Sequence, residues 1–179
     1  EISGYMFPIN SRGLESTFFY NANSCWGWAT WKRAWKYFEN DSQKLYLKLI
    51  EKKIDWNAFN AYQGNAFREQ LLLNIDNKIK TWAVNWHSVI RLSNGLVLHP
   101  KKSLTKNIGF DGSGINCDKN DSYAKMRIAK KIRVKKIDTY IENERALSVL
   151  KLYFQNGGKQ GALRYFKKVF NKYLNIYYI

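Results

Sequence analysis

Tryptophan is concentrated in one short segment of this chain, residues 24–38, which carries four of the seven tryptophans. Three of them, Trp28, Trp31 and Trp35, follow at intervals of three and four residues, which places them on one face of an α-helix. The segment therefore predicts a helix over residues 29–38 with a large apolar face. Such a face either packs in a core or stays open to a ligand, because an indole combines a wide apolar surface with one N–H donor.

Trp26 stands outside that face and is followed by Gly27. Glycine permits turns that other residues disfavour, and a turn can present the Trp26 indole to a cleft. We therefore treat Trp26 as a candidate for stacking against a ligand. Core packing is the alternative for this ring and for the tryptophans of the predicted helix.

Size and composition indicate one folded domain. The chain has 179 residues, of which 45% are hydrophobic and 16% aromatic, enough for a core of its own. It has no apolar run of the length that predicts a membrane-spanning helix. Its first residues resemble a strand that is already under way, and we expect the natural chain to begin upstream. Cys25 and Cys117 have no metal-ligand spacing with a histidine, so a reducing, cytoplasmic location is predicted.

Positive charge is distributed unevenly along the chain. Residues 1–120 hold 16 Lys and Arg against 10 Asp and Glu, whereas residues 121–179 hold 14 against 4. This contrast divides the chain into a domain, 1–120, and a basic extension, 121–179, that predicts an anionic partner. Residues 159–179 have the spacing of a basic amphipathic helix, which predicts peripheral binding to the anionic inner face of the cytoplasmic membrane. A helix docked on its own domain is the alternative.

Hydrophobic periodicity and turn residues predict an α/β fold that is rich in helix. The predicted elements are strand 2–9, helices 42–53 and 57–75, a helix capped by Thr81 and ended by Asn94-Gly95, strand 96–99, a glycine-rich turn at 109–114, and helix 138–155. Gly64 is expected to interrupt the second of these helices. His87 and His99 are interpreted as packing or surface residues.

Three segments, taken together and in order, resemble bacterial sugar transferases of glycosyltransferase family two, which have the GT-A fold. The first contains Trp-Gly-Trp-Ala-Thr-Trp, the second is Lys80-Thr-Trp-Ala-Val-Asn-Trp, and the third contains Asn-Ile-Gly-Phe-Asp-Gly-Ser-Gly. The resemblance covers residues 1–120. It implies the C-terminal, acceptor-side half of a Rossmann-like GT-A domain, followed by a basic amphipathic helical tail. The nucleotide-binding half would lie outside this chain, which alone would be inactive.

The resemblance also implies a reaction and its site residues. A sugar would move, with inversion, from a nucleotide-sugar donor to a glycan or lipid-linked acceptor in the synthesis of lipopolysaccharide or capsule. A carboxylate would take the acceptor proton, and Mg²⁺ or Mn²⁺ would stabilise the departing diphosphate. The implied acceptor-binding residues are Trp26, Trp28, Trp82 and Trp86. The implied donor and phosphate side comprises Asp111, Ser113 and Asn116, with Asp111 also as a metal-side acid.

The sequence departs from the family pattern where the base is expected. Relatives often have an acid just before the Thr-Trp pair or just after its Trp, whereas this chain has Lys80 and Ala83 there. The nearest acid is Asp76, which is the candidate base if its loop turns inward and a helix-end or turn residue otherwise. No Asp-x-Asp motif occurs in the chain.

Two other functions remain open on the sequence alone. The net charge of +16 suits a nucleic-acid-binding module with aromatic rings that stack on bases. This alternative is less favoured because the tryptophans follow helical spacing and no RNA-recognition or helix-turn-helix signature occurs. The other alternative is a membrane-surface scaffold without catalysis, in which Lys80 and Ala83 mark the loss of the base.

Overall fold

A computed structural model describes residues 1–63, 66–113 and 126–155, which form a small mixed α/β domain. The strands are β1 (Ile2–Ser3), β2 (Thr17–Phe19), β3 (Trp28–Ala29) and β4 (Leu98–Pro100). The helices are α1 (Lys32–Trp35), α2 (Ser42–Glu51), α3 (Trp56–Phe59), α4 (Ala66–Ile75), α5 (Ala83–Leu92) and α6 (Glu144–Tyr153). A 3-10 helix covers Ile108–Asp111. The predicted α/β class is therefore confirmed.

The four strands form one mixed sheet in the order β2-β4-β1-β3. β1 runs parallel to β4, with Ile2 opposite Leu98, and antiparallel to β3, with Ser3 opposite Trp28. β2 runs antiparallel to β4. The tryptophan-rich segment therefore supplies an edge strand, and its neighbour is the first strand of the domain.

Asp or Asn side chains begin three of the helices. Asp41 accepts a hydrogen bond from the backbone N–H of Lys44 at 2.9 Å before α2, and Asp55 accepts one from Asn57 at 2.8 Å before α3. Asn143 accepts one from Ala146 at 2.8 Å before α6. Each cap satisfies a backbone donor that has no partner within its helix. The helix predicted at residues 42–53 is confirmed by α2.

Three clusters of buried side chains hold these elements together. The first joins the segment after β1 to β2 and α6, and includes Met6, Leu14, Phe18, Tyr20, Leu150 and Phe154. The second joins α2 to α5 and to the start of β4, and includes Leu45, Trp86, Val89, Ile90 and Val97. The third lies among α2, α3, α4 and α5 and includes Leu49, Phe59, Leu71 and Val84. α2 and α5 contribute to both of the latter clusters and so fix the helices against the edge of the sheet.

The helix predicted over residues 29–38 is wrong in its first part. Trp28 and Ala29 pair with β1 instead, and α1 is a single turn at Lys32–Trp35. Pairing with a strand from the start of the chain is a long-range interaction, which outweighs the local spacing of the tryptophans.

Two further boundaries differ because side chains and loops take over backbone hydrogen bonds. The predicted strand 2–9 ends at Ser3, since the Gly4 carbonyl accepts from Leu104 N–H at 2.7 Å and Met6 N–H donates to Ser103 Oγ at 3.0 Å. Thr81 does not cap α5, whose N-cap is Trp82 with no side-chain hydrogen bond.

The other predicted boundaries follow local chemistry. Asn94 adopts φ 49° and Gly95 N–H donates to the Ile90 carbonyl at 2.8 Å, which confirms the left-handed end of α5. The predicted interruption of helix 57–75 is confirmed, since α3 ends at Phe59 and α4 begins at Ala66. Helix 138–155 begins later than predicted, after the Asn143 cap.

The predicted tail helix at residues 159–178 lies outside the described residues. Within the described part of the chain, every helix is either too short or too polar to cross a lipid bilayer.

Candidate functional site

Four tryptophans from three segments meet at one side of the domain: Trp28, Trp35, Trp82 and Trp86, here called the tryptophan cluster. The ring centroid of Trp28 lies 5.3 Å from that of Trp82 and 5.7 Å from that of Trp35. The centroids of Trp35 and Trp86 are 5.0 Å apart. Trp86 is 3% exposed, whereas Trp35 and Trp82 are 39% and 40% exposed. The cluster therefore has a buried floor and an open rim.

Each ring of the cluster comes from an element that is fixed by other contacts. Trp28 belongs to the edge strand β3, and Trp35 ends α1 and stacks on Phe38 at 4.5 Å. Trp82 and Trp86 are four residues apart at the start of α5, so they share one face of that helix. Three of the four predicted acceptor-binding tryptophans, Trp28, Trp82 and Trp86, are thus brought together.

Gly27 fixes the backbone between Trp26 and Trp28. It adopts φ 90°, and a Cβ at this position would lie 2.5 Å from Thr105 Cγ2. Thr105 Oγ1 donates a hydrogen bond to the Trp26 carbonyl at 2.6 Å, and Gly4 N–H donates to the Gly27 carbonyl at 2.7 Å. Only glycine combines this backbone angle with so close a neighbour, so Gly27 sets the directions of both tryptophans.

The Glu1 carboxyl group lies against the floor of the cluster. Its Oε2 accepts a hydrogen bond from Trp86 Nε1 at 2.6 Å, and its Oε1 accepts one from the Ser24 backbone N–H at 3.1 Å. Burial raises the pKa of this carboxyl to about 7, although both hydrogen bonds favour the charged form. Among the described residues, Glu1 is the carboxylate that is hydrogen-bonded to a tryptophan of the cluster.

Glu1 is a residue that sequence reasoning missed. Its partner Trp86 is 85 positions away in the sequence, and no local motif surrounds it. The only available signal was Trp86 itself, since an indole N–H in a mostly apolar surrounding needs an acceptor.

Trp26 is turned to a different neighbourhood from the cluster. Its ring contacts Tyr5 at 4.6 Å and Phe110 at 5.2 Å, both edge to face. Phe110 is buried in the 3-10 helix that ends at Asp111. The predicted acceptor residue Trp26 therefore packs beside the predicted donor-side turn, two positions along the chain from the tryptophan cluster.

The Asp111 turn is closed by hydrogen bonds within itself. Asp111 Oδ1 accepts from both the backbone N–H and the hydroxyl of Ser113, at 2.8 Å and 2.6 Å, and these bonds lower the pKa of the Asp111 carboxyl. Gly112 follows with φ 104°. Asp111 and Ser113 are both exposed, while Asn116 lies outside the described residues.

The described residues do not by themselves form a metal site. Asp111 offers one carboxylate with one oxygen already engaged, and the ranges 1–63, 66–113 and 126–155 contain no group of three His, Cys, Asp or Glu side chains that could hold an ion. A divalent cation therefore stays a prediction of the family resemblance.

Asp76 lies in an exposed turn just after α4. Its Oδ2 is 3.2 Å from Lys78 Nζ, and Asn77 between them adopts φ 56°. In the described part of the chain its ion-pair partner is this lysine, and no hydrogen bond links it to the tryptophan cluster. The role of Asp76 as a base stays a prediction. Glu1, in contrast, is hydrogen-bonded to Trp86 of the tryptophan cluster.

Both histidines are buried in the core. His87 stacks on Phe67 at 4.0 Å and its Nε2 lies 2.6 Å from the Phe59 carbonyl oxygen. His99 lies between the Tyr5 and Ala22 carbonyl oxygens. Burial lowers the pKa of His87 to about 3 and that of His99 to about 4. The interpretation of both as packing residues agrees with these surroundings.

Comparison with protein-family models, with curated proteins and with solved structures finds no match to this chain.

Proposed function

We propose that this chain supplies the acceptor-binding side of a glycosyltransferase with a GT-A fold, and that the tryptophan cluster binds a sugar unit of the acceptor. The observation that carries the proposal is the open rim of Trp35 and Trp82 above a floor at which Trp86 is hydrogen-bonded to a carboxylate. Large exposed aromatic faces beside a half-buried acid suit a ligand that has both apolar faces and hydroxyl groups.

The chemistry assigned to Glu1 is proton transfer. A pKa of about 7 places this carboxyl near the value at which a group accepts a proton efficiently at neutral pH. In the proposed reaction the acceptor hydroxyl gives its proton to Glu1 while its oxygen attacks the anomeric carbon of a nucleotide-sugar, with inversion. Trp86 and Ser24 hold the carboxyl in place through one hydrogen bond to each oxygen.

The donor side of the proposal rests on the turn at Asp111. Trp26 contacts Phe110 beside this turn, and Trp28 belongs to the tryptophan cluster. One short segment, with Gly27 between the two tryptophans, therefore links the turn to the cluster. Ser113 is assigned to the donor phosphates, Asp111 to the divalent cation that would hold them, and Asn116 to the same side by the family resemblance. The proposed product is a bacterial surface polysaccharide.

A saccharide titration followed by tryptophan fluorescence tests the acceptor site. Neutral mono- and oligosaccharides are added to the full chain and to Trp82→Ala, which removes an exposed wall of the cluster. We expect saturable emission changes in the original protein and roughly two- to tenfold weaker binding in the variant, which is the size of a lost aromatic contact.

Trp31→Ala is the matched control. Trp31 is 44% exposed, close to the value for Trp82, and its ring is covered by Arg33, whose guanidinium carbon is 5.1 Å from the centroid. Saccharide affinity should survive this change. Equal losses in both variants, or no binding by the original protein to any saccharide, would argue against an acceptor site at the cluster.

A further inference from the structure

A second surface, far along the sequence from the tryptophan cluster, is formed by residues 127–136, here called the basic strap. Ala129 N–H donates to the Ser103 carbonyl at 2.8 Å, and Asn143 N–H donates to the Phe19 carbonyl at 2.9 Å. Asn21 N–H also donates to Glu142 Oε1 at 2.8 Å. The chain between these attachments has no helix or strand. The segment that contains the strap is therefore attached to the domain at Ala129 and, beyond the end of the strap, at Glu142 and Asn143.

Six cations occupy the ten positions of the strap, and all six are exposed: Arg127, Lys130, Lys131, Arg133, Lys135 and Lys136. Lys136 Nζ pairs with Asp138 at 2.7 Å. For the other five, no carboxylate of the described residues lies within ion-pair distance. Such a density of unneutralised charge on one short segment attracts an extended anionic surface rather than a single small anion.

Apolar side chains are exposed within and beside the same segment. Ile128 and Val134 are 52% and 67% exposed, and Ile141 is 63% exposed. Single exposed apolar residues are ordinary on protein surfaces. Here, however, the exposed side chains of Ile128 and Val134 lie between cations within ten residues. An anionic partner that binds these cations would therefore also contact an apolar surface.

We propose that the basic strap docks on an anionic phospholipid bilayer. The lysines and arginines reach the headgroups, while Ile128 and Val134 enter the boundary between headgroups and acyl chains. A nucleic acid fits less well, because residues 127–136 contain no aromatic side chain to stack on bases, whereas they do offer exposed aliphatic side chains that a nucleic acid would leave in water. The surface is independent of the sugar site proposed above.

Vesicle sedimentation with the full chain tests this docking surface. The vesicles contain phosphatidylcholine alone or with one third phosphatidylglycerol. The test variant carries glutamine at four exposed positions of the strap, which are Lys130, Lys131, Arg133 and Lys135. We expect binding to the anionic vesicles only, and a loss of roughly fivefold in the partition coefficient for each cation removed at low salt.

A variant with the same loss of charge elsewhere is the control, with glutamine at Lys32, Lys36, Lys48 and Lys53. All four are exposed and lie in or near α1 and α2. Both variants retain residues 159–179, so any binding through the tail is common to them. Equal partition coefficients for the two variants would overturn the proposal, because the location of the cations would then not matter.

A second pair of variants separates a bilayer from a nucleic acid. Ile128→Ser and Val134→Ser keep every charge, and both sites are more than half exposed, so the unfolding midpoint should stay unchanged. We expect each to weaken binding to anionic vesicles about threefold or more, and to leave binding to duplex DNA unaltered. The bilayer proposal would be overturned if both serine variants kept their vesicle affinity while DNA binding fell only in the variant with glutamine at four positions of the strap. That result would assign the strap to nucleic acid.

Discussion

At the scale of single residues, the acidic group at Glu1 shows how burial and hydrogen bonding compete. Trp86 Nε1 and the Ser24 N–H both donate to it and so favour the carboxylate, yet burial dominates and raises the pKa to about 7. Glu1 therefore changes charge in the pH range where a proton acceptor for a sugar hydroxyl is useful.

The Trp86 indole N–H reports on this titration directly. In ¹H–¹⁵N spectra, its resonance should shift with a midpoint of about pH 7, because its acceptor at 2.6 Å changes from neutral to charged. Glu1→Gln should abolish the shift while the resonances of the more remote Trp56 stay as they were. A Trp86 resonance that moves with the same midpoint in both proteins would show that the titrating group is not the Glu1 carboxyl.

The sequence could not have revealed Glu1, whereas it did reveal most of the cluster. Trp28, Trp82 and Trp86 could be selected from the sequence because tryptophan is rare and suits ligand binding. They come together because Trp28 lies in a paired strand and the other two lie at the start of one helix. The role of Glu1 depends on the parallel pairing of β1 with β4 and on a side chain 85 positions away. The ordinary pKa of a glutamate carries no hint of such burial.

At the scale of elements, local rules predicted helices well and the edge strand poorly. α2 and the end of α5 follow from apolar spacing, an Asp cap and an Asn-Gly turn, all of which are local. β3 forms because Gly27 lets the backbone pass Thr105 at van der Waals distance and then pair with β1. Thr81 is not the cap because α5 begins one residue later than predicted, with Trp82 at the N-cap, and the Thr81 backbone N–H donates to Asn74 Oδ1 at 3.0 Å. Neither contact is visible in a short window of sequence.

Gly27→Ala tests whether this close approach maintains the cluster. The added Cβ would meet Thr105 Cγ2 at 2.5 Å at φ 90°, so we expect a loss of about 1–3 kcal/mol in the free energy of unfolding. Urea denaturation measures the loss. Because Thr105→Ser removes the methyl group and keeps the hydroxyl that binds the Trp26 carbonyl, the double variant should recover part of it. Additive losses would show that Thr105 is not the obstacle.

Asn143 caps α6 with its side chain, and its backbone N–H donates to the Phe19 carbonyl of β2. Asn143→Ala removes the acceptor for the Ala146 N–H and should lower the free energy of unfolding by about 1 kcal/mol, whereas Asn143→Asp should retain the cap. Urea denaturation of the three proteins measures this difference. Equal losses for alanine and aspartate would mean that the side chain stabilises something other than the helix start.

At the scale of the whole molecule, the core holds two buried histidines, whose pKa values are lowered by burial, and the Glu1 carboxyl beside the tryptophan cluster, whose pKa is raised by burial. His87 packs against Phe59 of the third cluster and against Phe67 beside it, and His99 lies in β4. These groups link the stability of the entire fold to pH in opposite directions. The folded protein resists protonation of the histidines, and it favours protonation of Glu1.

The sign of each contribution follows from which state binds more protons. The pKa values of His87 and His99 are lowered from 6.5 to about 3 and about 4, so the unfolded chain binds more protons below about pH 6.5 and stability falls as the pH falls. Glu1 has its pKa raised from 4.5 to about 7, so its contribution is present below about pH 4.5 and is lost as the pH rises to about 7.

Stability should therefore pass through a maximum near pH 6.5. Below it, two histidines oppose one glutamate, which leaves a net uptake of about one proton on unfolding and a slope of roughly 1 kcal/mol per pH unit down to about pH 4.5. Glu1→Gln removes the opposing group and should make that acid slope about twice as steep. His87→Phe retains the stacking on Phe67 and should make it nearly flat. Guanidinium denaturation of the three proteins at pH 5.0, 5.5 and 6.0 measures how the free energy of unfolding changes with pH. The comparison uses only these slopes, so a difference in absolute stability between the proteins does not affect it. Three equal slopes would mean that these groups do not control the loss of stability in acid.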